Sequence, residues 1–260
     1  MMKKTTLSLL LSCSLATLGT APLAAQTPSA SSHTEAQAPA DRTVPFLLSA
    51  PGENKPITWG LDLAWLSRDN VVRGMRFMNP ETVDVVRSSF TPTDSLVDGE
   101  LKPYELGRLN ERLDIISLLP PHTQVVLNCD HPSVSPYFKG NPKHWAELID
   151  VTRRHHEAAG RKVVTVSPFN EPDLTETGQG TLEDFYHIAE ELRRMPAFDS
   201  IRISGGNTLN TDRALEYYTY LRDQLDEGNT HQLAGTFDHY AEFFQTVRAD
   251  GRHATNDELH

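Results

Sequence analysis

The sequence predicts an α/β fold, a (β/α)8 TIM barrel that is incomplete, with about six of eight strands in the chain. From residue 57 onward, short apolar runs alternate with longer amphipathic stretches, which is typical of parallel strands covered by helices. Successive runs start about 25 to 40 residues apart, as right-handed crossover units require. A doubly wound open sheet is the alternative, but no Gly-x-Gly-x-x-Gly turn follows the first run, and Gly205-Gly206 is too short for a phosphate loop.

Each predicted strand is a short apolar run. Several of the runs are rich in Val and Ile without strict alternation, as in strands that are buried on both faces. The six runs cover residues 57–63, 83–88, 124–129, 162–167, 201–204 and 233–237.

The predicted helices lie between these runs, where apolar residues recur three and four positions apart. Gly160 predicts the end of the second helix, and Thr181 with Asp184 predicts a capping box at the start of the third. The four helices cover residues 104–119, 142–159, 182–195 and 211–226.

Residues 1–25 have the layout of a secretory signal. Lys3 and Lys4 precede an apolar run over 7–18, and small residues end near Ala25. The sequence therefore predicts a signal peptide and export to the periplasm or the extracellular space. A membrane anchor is an alternative, but it needs about 20 apolar residues, and polar residues interrupt this run. Lipid attachment at Cys13 is a further alternative.

The segment after the signal is predicted to contain a spacer and one domain. Residues 26–43 are rich in Ala, Ser, Thr, Pro and Gln without an apolar period, which predicts a flexible spacer. Residues 44–260 are predicted to be the N-terminal portion of a (β/α)-barrel catalytic domain. Removal of residues 1–25 leaves Cys129 as the single cysteine, so no intrachain disulfide is expected.

The charge balance is acidic. The chain has 35 acidic and 24 basic side chains and a formal net charge of -11. Nucleic-acid binding depends on neutralising phosphates with basic residues. The composition therefore argues against a nucleic-acid partner.

A carboxylate follows the fourth predicted strand directly. The segment KVVTVSPFNEPD ends in Asn170, Glu171 and Pro172. Catalytic groups of barrel enzymes gather at the carboxyl ends of the strands, because the loops there converge on one cavity. Glu171 is therefore the principal catalytic candidate. An ordinary polar turn is the alternative for this tripeptide alone.

This segment resembles the acid/base motif of glycoside hydrolase clan A, the retaining (β/α)8 glycosidases, in which Asn-Glu closes the fourth strand. The resemblance implies that Glu171 protonates the departing sugar oxygen and later deprotonates water. It implies that Asn170 contacts the 2-hydroxyl of the sugar. A partly buried carboxyl suits general acid catalysis near neutral pH.

Three other predicted strand ends carry residues that are similar to positions of the clan. Arg87 in VVRSSF resembles the arginine that braces the nucleophile, although a surface ion pair is the alternative. Asp130 and His131 end the third strand, where clan members place a histidine at the sugar-binding floor; a structural histidine is the alternative. In GTFDHY, His239 and Tyr240 lie where the clan carries a histidine and a tyrosine, but strand alternation lets only one point inward.

Aromatic side chains near strand ends are candidates for stacking on pyranose rings. Trp145 lies in a helical stripe and is predicted to be core instead. The predicted substrate-binding set is Asn170, Arg87, His131, His239, Tyr240 and Trp59, and further stacking candidates are Trp65, Tyr137, Phe138 and Phe169.

A retaining glycosidase needs a second carboxylate about 5 to 5.5 Å from the first. No seventh apolar strand is predicted after Tyr240, and Glu258 lies in a polar run that looks like a helix start. The sequence therefore predicts a chain truncated at its C-terminus, inactive alone, with the nucleophile beyond residue 260. The predicted function is a secreted glycoside hydrolase that cleaves a β-linked oligo- or polysaccharide without a cofactor, a metal ion or stable membrane insertion.

Two alternatives remain open at this stage. A metal-dependent barrel isomerase or hydrolase could use Glu171, Asp130, His131 and His239 as ligands, although the sequence has neither His-x-His on the first strand nor His-Glu-x-x-His. A non-catalytic glycan-binding barrel could keep the cleft without the chemistry.

Overall fold

The computed structural model describes residues 58–64, 67–129 and 133–258. The predicted signal peptide and spacer lie outside the described residues, as do Trp65, Asp130 and His131. Among the residues that are described, no helix combines the length and the apolar character that crossing a bilayer requires.

Strands and helices alternate along the described chain, as the sequence predicts. The strands are β1 Gly60–Asp62, β2 Val85–Phe90, β3 Leu96–Val97, β4 Glu100–Leu101, β5 Gln124–Cys129, β6 Val163–Ser167, β7 Arg202–Asn210, β8 Glu227–Ala234 and β9 His253–Thr255. The α-helices are α1 Arg68–Met78, α2 Pro103–Ile116, α3 Pro142–Ala158, α4 Leu182–Arg193, α5 Thr211–Leu221 and α6 Phe237–Ala249. Short 3-10 helices cover Pro80–Thr82, Thr175–Thr177, Pro196–Phe198 and Arg222–Gln224.

The main sheet has seven strands in the order β1-β2-β5-β6-β7-β8-β9, and every neighbouring pair is parallel. The strands β3 and β4 form a separate antiparallel pair. Strand order in the main sheet therefore follows chain order, as in a barrel and unlike a doubly wound sheet.

The sheet is curled. In a flat sheet the second and seventh strands of this order would be five strand spacings apart, about 24 Å. Arg87 Nη1 on β2 nevertheless lies 2.8 Å from Oε2 of Glu258, three residues after β9. The described residues thus form an α/β half-barrel, an incomplete TIM-like barrel.

The core lies between the sheet and its helices. Trp145 on α3 is 1% exposed and packs edge-on against Phe169, with ring centroids 5.1 Å apart, so the prediction that it is core is confirmed. Phe169 and Phe138 are buried as well. These two rings hold the helices on the sheet and present no open face to a sugar.

The four predicted helices are present, and the capping box of Thr181 and Asp184 is confirmed. The prediction of only six strands is wrong at the C-terminal end. The sixth strand of the main sheet is β8, and the predicted strand over 233–237 instead ends β8 and enters α6. Asn229, Thr230 and His231 are buried in β8, so their polarity hid a strand that lies fully inside the fold.

A seventh strand, which the sequence did not predict, is β9. It pairs in parallel with β8, with Glu227 opposite His253. Its three residues, His-Ala-Thr, include no large apolar side chain. A search for apolar runs therefore could not detect it.

Candidate active site

The carboxyl ends of the parallel strands bring a group of charged side chains together. Because parallel strands all end at the same edge of a sheet, residues far apart in sequence meet there. The group contains Asp62 at the end of β1, Arg87 on β2, Glu171 after β6, His231 on β8, and Asp257 and Glu258 after β9.

Glu171 has an unusual backbone conformation. Its φ is 51° and that of Asn207 is 46°, in the left-handed region that non-glycine residues rarely adopt. The Glu171 N–H donates to the Asn207 carbonyl at 2.9 Å, and the Asp173 carboxylate accepts from the N–H groups of Leu209 and Asn210 at 2.8 and 2.9 Å. These bonds fasten the loop after β6 to β7. Backbone strain of this kind concentrates at functional sites.

The side-chain oxygen of Asn170, Oδ1, is saturated by donors. It accepts from Arg87 Nη2 at 3.0 Å, Asn128 Nδ2 at 3.0 Å and Asn207 Nδ2 at 3.3 Å. Asn207 Oδ1 in turn accepts from Asn229 Nδ2 at 2.8 Å. Because the oxygen side is fully occupied, the Asn170 NH₂ group is the part of the amide that remains to bind a ligand.

Gln179 holds the main chain at the same residue. Its Oε1 accepts from the Asn170 N–H at 2.8 Å, and its Nε2 donates to the Asn170 carbonyl. Gln179 is 4% exposed. A buried side-chain amide therefore takes the place of a strand partner for Asn170 and fixes the peptide that precedes Glu171.

Arg87 joins the first strands to the last. It is 4% exposed, and Nη1 lies 3.2 Å from Asp62 Oδ2 and 2.8 Å from Glu258 Oε2. Burial would lower the pKa of Arg87, but Asp257, Asp62 and Glu258 outweigh it and raise the pKa. Burial raises the pKa of Asp62 despite the opposing charge of Arg87. Arg87 is thus a permanent buried cation within a group of carboxylates.

The carboxylates of Glu171 and Glu258 face each other. One oxygen of each lies within 4.8 Å of the other, and the two side chains keep 16% and 22% of their surface exposed. The Glu258 N–H donates to Asn256 Oδ1 at 3.0 Å, and Asn256 Nδ2 donates to the Tyr240 hydroxyl at 3.3 Å. These bonds hold the segment after β9 in place.

His231 lies between carboxylates from two different loops. Its ring is fully buried, with Nδ1 2.9 Å from Glu171 Oε1 and Nε2 3.1 Å from Asp257 Oδ1. Burial would lower the pKa of His231, but Asp257 and Glu171 outweigh it and raise the pKa to about 9. For Asp257 burial alone would raise the pKa, because the charged form is the anion. The neighbouring Arg87 and His231 instead hold the pKa of Asp257 well below its usual range.

The structure does not place every predicted site residue in this group. His239 and Tyr240 lie on helix α6, not at a strand end; His239 is about half exposed, with Nδ1 2.7 Å from Asp212 Oδ1. The histidine of the sixth strand is His231, which the sequence analysis missed because the strand was placed too late. Tyr240 supports Asn256 through its hydroxyl, as described above.

Two of the predicted aromatic residues, Trp59 and Tyr137, lie outside this group of charged side chains. Trp59 precedes β1, and its carbonyl accepts from the N–H groups of Asp84 and Val85 at the start of β2. It therefore lies at the amino ends of the strands, at the opposite end from Glu171. Tyr137 is half exposed, with one ring face stacked on His144 at a centroid distance of 3.8 Å.

Glu171, His231 and Glu258 each offer a ligand atom, and these atoms lie within 4.8 Å of one another. A metal ion requires a neutral imidazole and free carboxylate oxygens. Here the pKa of His231 is raised, and Arg87 donates to the Glu258 oxygen. The three residues fit an ion-pair network better than a cation site. Of the ligands predicted for the metal alternative, His239 lies on α6, whereas Asp130 and His131 are outside the described residues.

The fold and the site define a barrel-type α/β domain with carboxylates, an arginine and a histidine at the carboxyl ends of its strands. Among solved structures it is similar to an endo-β1,6-glucanase, with a TM-score of 0.56 and 14% identity over 76% of this chain and 55% of that chain. It is also similar to a GH30 endoxylanase from Clostridium papyrosolvens, with a TM-score of 0.52 and 12% identity over 75% of this chain and 54% of that chain.

A mandelate racemase/muconate lactonizing enzyme from Roseiflexus sp. also matches, with a TM-score of 0.47 and 10% identity over 78% of this chain and 48% of that chain, too distant to bear on function. The chain spans about half the length of these structures. No protein-family model and no curated protein matches the chain. At these identities the likeness shows the fold, and the neighbours that share it are enzymes that include glycosidase barrels.

Proposed function

We propose that this chain contains the catalytic residues of a glycoside hydrolase that cleaves a β-linked glycan with retention of configuration. The observation that carries the proposal is the pair Glu171 and Glu258, whose carboxylate oxygens approach within 4.8 Å. Retaining enzymes place their two carboxyl groups about 5 to 5.5 Å apart, whereas inverting enzymes need about 6.5 to 9.5 Å to admit a water molecule. The pair fits the retaining geometry.

Glu258 is the proposed nucleophile and takes the place of the residue expected beyond position 260. It follows the seventh strand of the sheet, and Arg87 donates to its Oε2, which orients the carboxylate. Glu171, which follows the fourth strand of the sheet, is the proposed acid/base.

The reaction then proceeds in two displacements. A Glu258 oxygen attacks the anomeric carbon while the bond to the departing oxygen breaks, and Glu171 gives its proton to that oxygen. In the second step Glu171 takes a proton from water, the water oxygen bonds to the anomeric carbon, and the Glu258 carboxylate is released. The Asn170 NH₂ group donates to the 2-hydroxyl of the sugar, a contact that strengthens as positive charge develops on the ring.

The proposal includes export of the protein and a glycan substrate outside the cell interior. Residues 1–25 act as a signal for export, residues 26–43 as a spacer, and the substrate is an oligo- or polysaccharide outside the cytoplasm. The Asp62 carboxylate, 29% exposed, lies beside Arg87 at the mouth and is available to sugar hydroxyls.

The test compares the purified chain with its Glu171→Gln and Glu258→Gln variants on β-linked oligosaccharides and aryl β-glycosides. Each variant should lose at least about 10³-fold in kcat on oligosaccharides, because proton transfer and covalent catalysis are both removed. Nuclear magnetic resonance of the first-formed product should show the β-anomer. Glu216→Gln, which alters an exposed pair with Arg213, is the matched control and should keep full activity.

Azide separates the two roles. Glu171→Ala should be rescued to a β-glycosyl azide, and Glu258→Ala to an α-glycosyl azide, because azide replaces the acid/base-assisted water in one and the nucleophile in the other. Sugar binding with no cleavage by the wild-type chain would favour the glycan-binding alternative. Full activity of Glu258→Gln, or an α-anomer as the first product, would rule out the proposed mechanism.

A further inference from the structure

Each ring nitrogen of His231 faces a carboxylate oxygen. Nδ1 is 2.9 Å from Glu171 Oε1 and Nε2 is 3.1 Å from Asp257 Oδ1, and the ring is fully buried. A neutral imidazole carries a single N–H, so one of the two carboxylates would face a bare nitrogen lone pair. The geometry therefore fits a ring that is protonated at both nitrogens.

We infer that Asp257 is a positioning residue for the acid/base step; this inference rests on the proposed function. The Asp257 carboxylate fixes the orientation of the His231 ring and keeps both of its nitrogens protonated, and Nδ1–H then donates to Oε1 of Glu171. Because Oε1 is an acceptor in this contact, the proton that Glu171 gives to the departing sugar oxygen is carried by Oε2.

The alternative protonation state would be unproductive. If the ring were neutral with its N–H toward Asp257, Nδ1 of His231 would accept a hydrogen bond. The proton of Glu171 would then reside on Oε1, directed at His231 and away from the substrate. Asp257 thus has to supply charge as well as an acceptor atom.

The charges that face the ring support this assignment. Nδ1 lies 3.7 Å from Glu258 Oε2 in addition to Glu171, and Nε2 faces Asp257. Asp257 is also shared with Arg87, whose Nε is 3.7 Å from Oδ2. Loss of the Asp257 charge would leave two buried cations close together, and the ring, which can release a proton, would become neutral.

The Asp257 carboxylate is buried, which makes its charge informative. Both of its oxygens are inaccessible to solvent. A buried carboxylate is costly unless cations compensate it, and Arg87 and His231 both lie against this one. Its charge therefore acts on these two neighbours.

The decisive variant is Asp257→Asn, which keeps the side-chain size and an oxygen that can accept from Nε2–H. The ¹⁵N chemical shifts of the His231 ring are followed from pH 5 to pH 9. In the wild type the ring should remain doubly protonated up to about pH 8, and in Asp257→Asn it should lose a proton below about pH 7. Asp257→Glu, which keeps the charge, should restore the doubly protonated ring.

Kinetics with substrates of different leaving groups provides the second readout. In Asp257→Asn, kcat should fall by about 10²- to 10³-fold for alkyl or sugar leaving groups, which need a proton, and by less than about tenfold for dinitrophenyl, which does not. A merely structural defect would reduce both by the same factor. Asp250→Asn removes another largely buried carboxylate, which accepts from the Tyr218 hydroxyl at 2.7 Å, and should leave the leaving-group dependence unchanged.

Failure of this inference and failure of the proposed function are distinguishable. A wild-type ring that is singly protonated at pH 7, or an Asp257→Asn ring with unchanged shifts, overturns the role of Asp257 whatever the activity. If the shifts change as expected but the wild type cleaves no glycoside, the proposed hydrolase function falls and the link between Asp257 and His231 stands.

Discussion

The buried guanidinium of Arg87 should hold together the carboxylates at the carboxyl ends of the strands, and Arg87→Met tests this. The substitution keeps an apolar stem of similar length and removes the partner of Asp257, Asp62 and Glu258. Breaking a buried ion pair by removing one member costs about 3–5 kcal/mol, because a buried charge is left uncompensated. Each kcal/mol shifts the Tm of a domain of this size by about 2–4 °C, so the expected loss is about 6–20 °C.

The measurement is the free energy of unfolding in urea for Arg87→Met, Asp257→Asn and the double variant. The double variant should recover about 1–3 kcal/mol relative to the sum of the single losses, because neither member of the Arg87–Asp257 pair is then left without the other. Arg213→Met, which removes an exposed pair with Glu216, should cost less than about 1 kcal/mol.

Acid pH provides an independent check on the same pair. The pKa of Asp257 is held below its ordinary value of 3.8, so its contribution to stability is complete above that pH and is lost as the pH falls further. The gap between wild type and Arg87→Met should therefore narrow below about pH 4. Additive losses in the cycle, or a gap that stays constant down to pH 2.5, would refute the reasoning.

Three further predictions follow from the site and the core. His231→Ala should reduce kcat by at least about 10²-fold, whereas His239→Ala should leave it within about twofold, because only the first ring contacts Glu171; equal effects on initial rates would contradict the site described here. Chelation with EDTA followed by gel filtration should leave glycosidase activity unchanged, since Arg87 already binds the Glu258 oxygen, and a loss that zinc or magnesium restores would favour the metal alternative. Burial and the nearby Arg112 charge lower the pKa of His156 to about 3, so its contribution to stability is present above about pH 6.5 and lost as the pH falls toward 3. Between pH 6.5 and pH 4.5 the free energy of unfolding should drop by about 2–3 kcal/mol more in the wild type than in His156→Leu, as measured in urea; parallel curves would contradict this.

The sequence predicted the parts of the fold whose residues are apolar and regularly spaced. Strands β5 and β6 and helices α2 to α5 match their predicted positions, because buried faces impose recognisable periods. It failed where the site itself is built. Strand β8 carries buried polar residues in place of an apolar run: Asn229 donates to Asn207, and His231 lies against Glu171. Strand β9 has only three residues and no large apolar side chain.

The same reason explains the outcome for the site residues. Arg87 lies within an apolar strand that the sequence reveals, and Asn170 and Glu171 follow another; the structure brings the three together. His231 lies within a strand that the sequence does not reveal, and Glu258 follows another such strand. Glu258 lies in a polar run of the sequence, and the parallel pairing of β9 with β8 places it opposite Glu171.

The row of asparagine amides beneath the mouth has a fixed direction. Arg87 can only donate, so Asn170 must present its oxygen to it, and Asn128 must then present its nitrogen to Asn170. The same sense continues through Asn207 to Asn229. Conversion of Asn128 to aspartate, by substitution or by deamidation, would set one oxygen against another and break the row at this point. The Arg87 guanidinium thus fixes the orientation of side-chain amides on three other strands of the sheet.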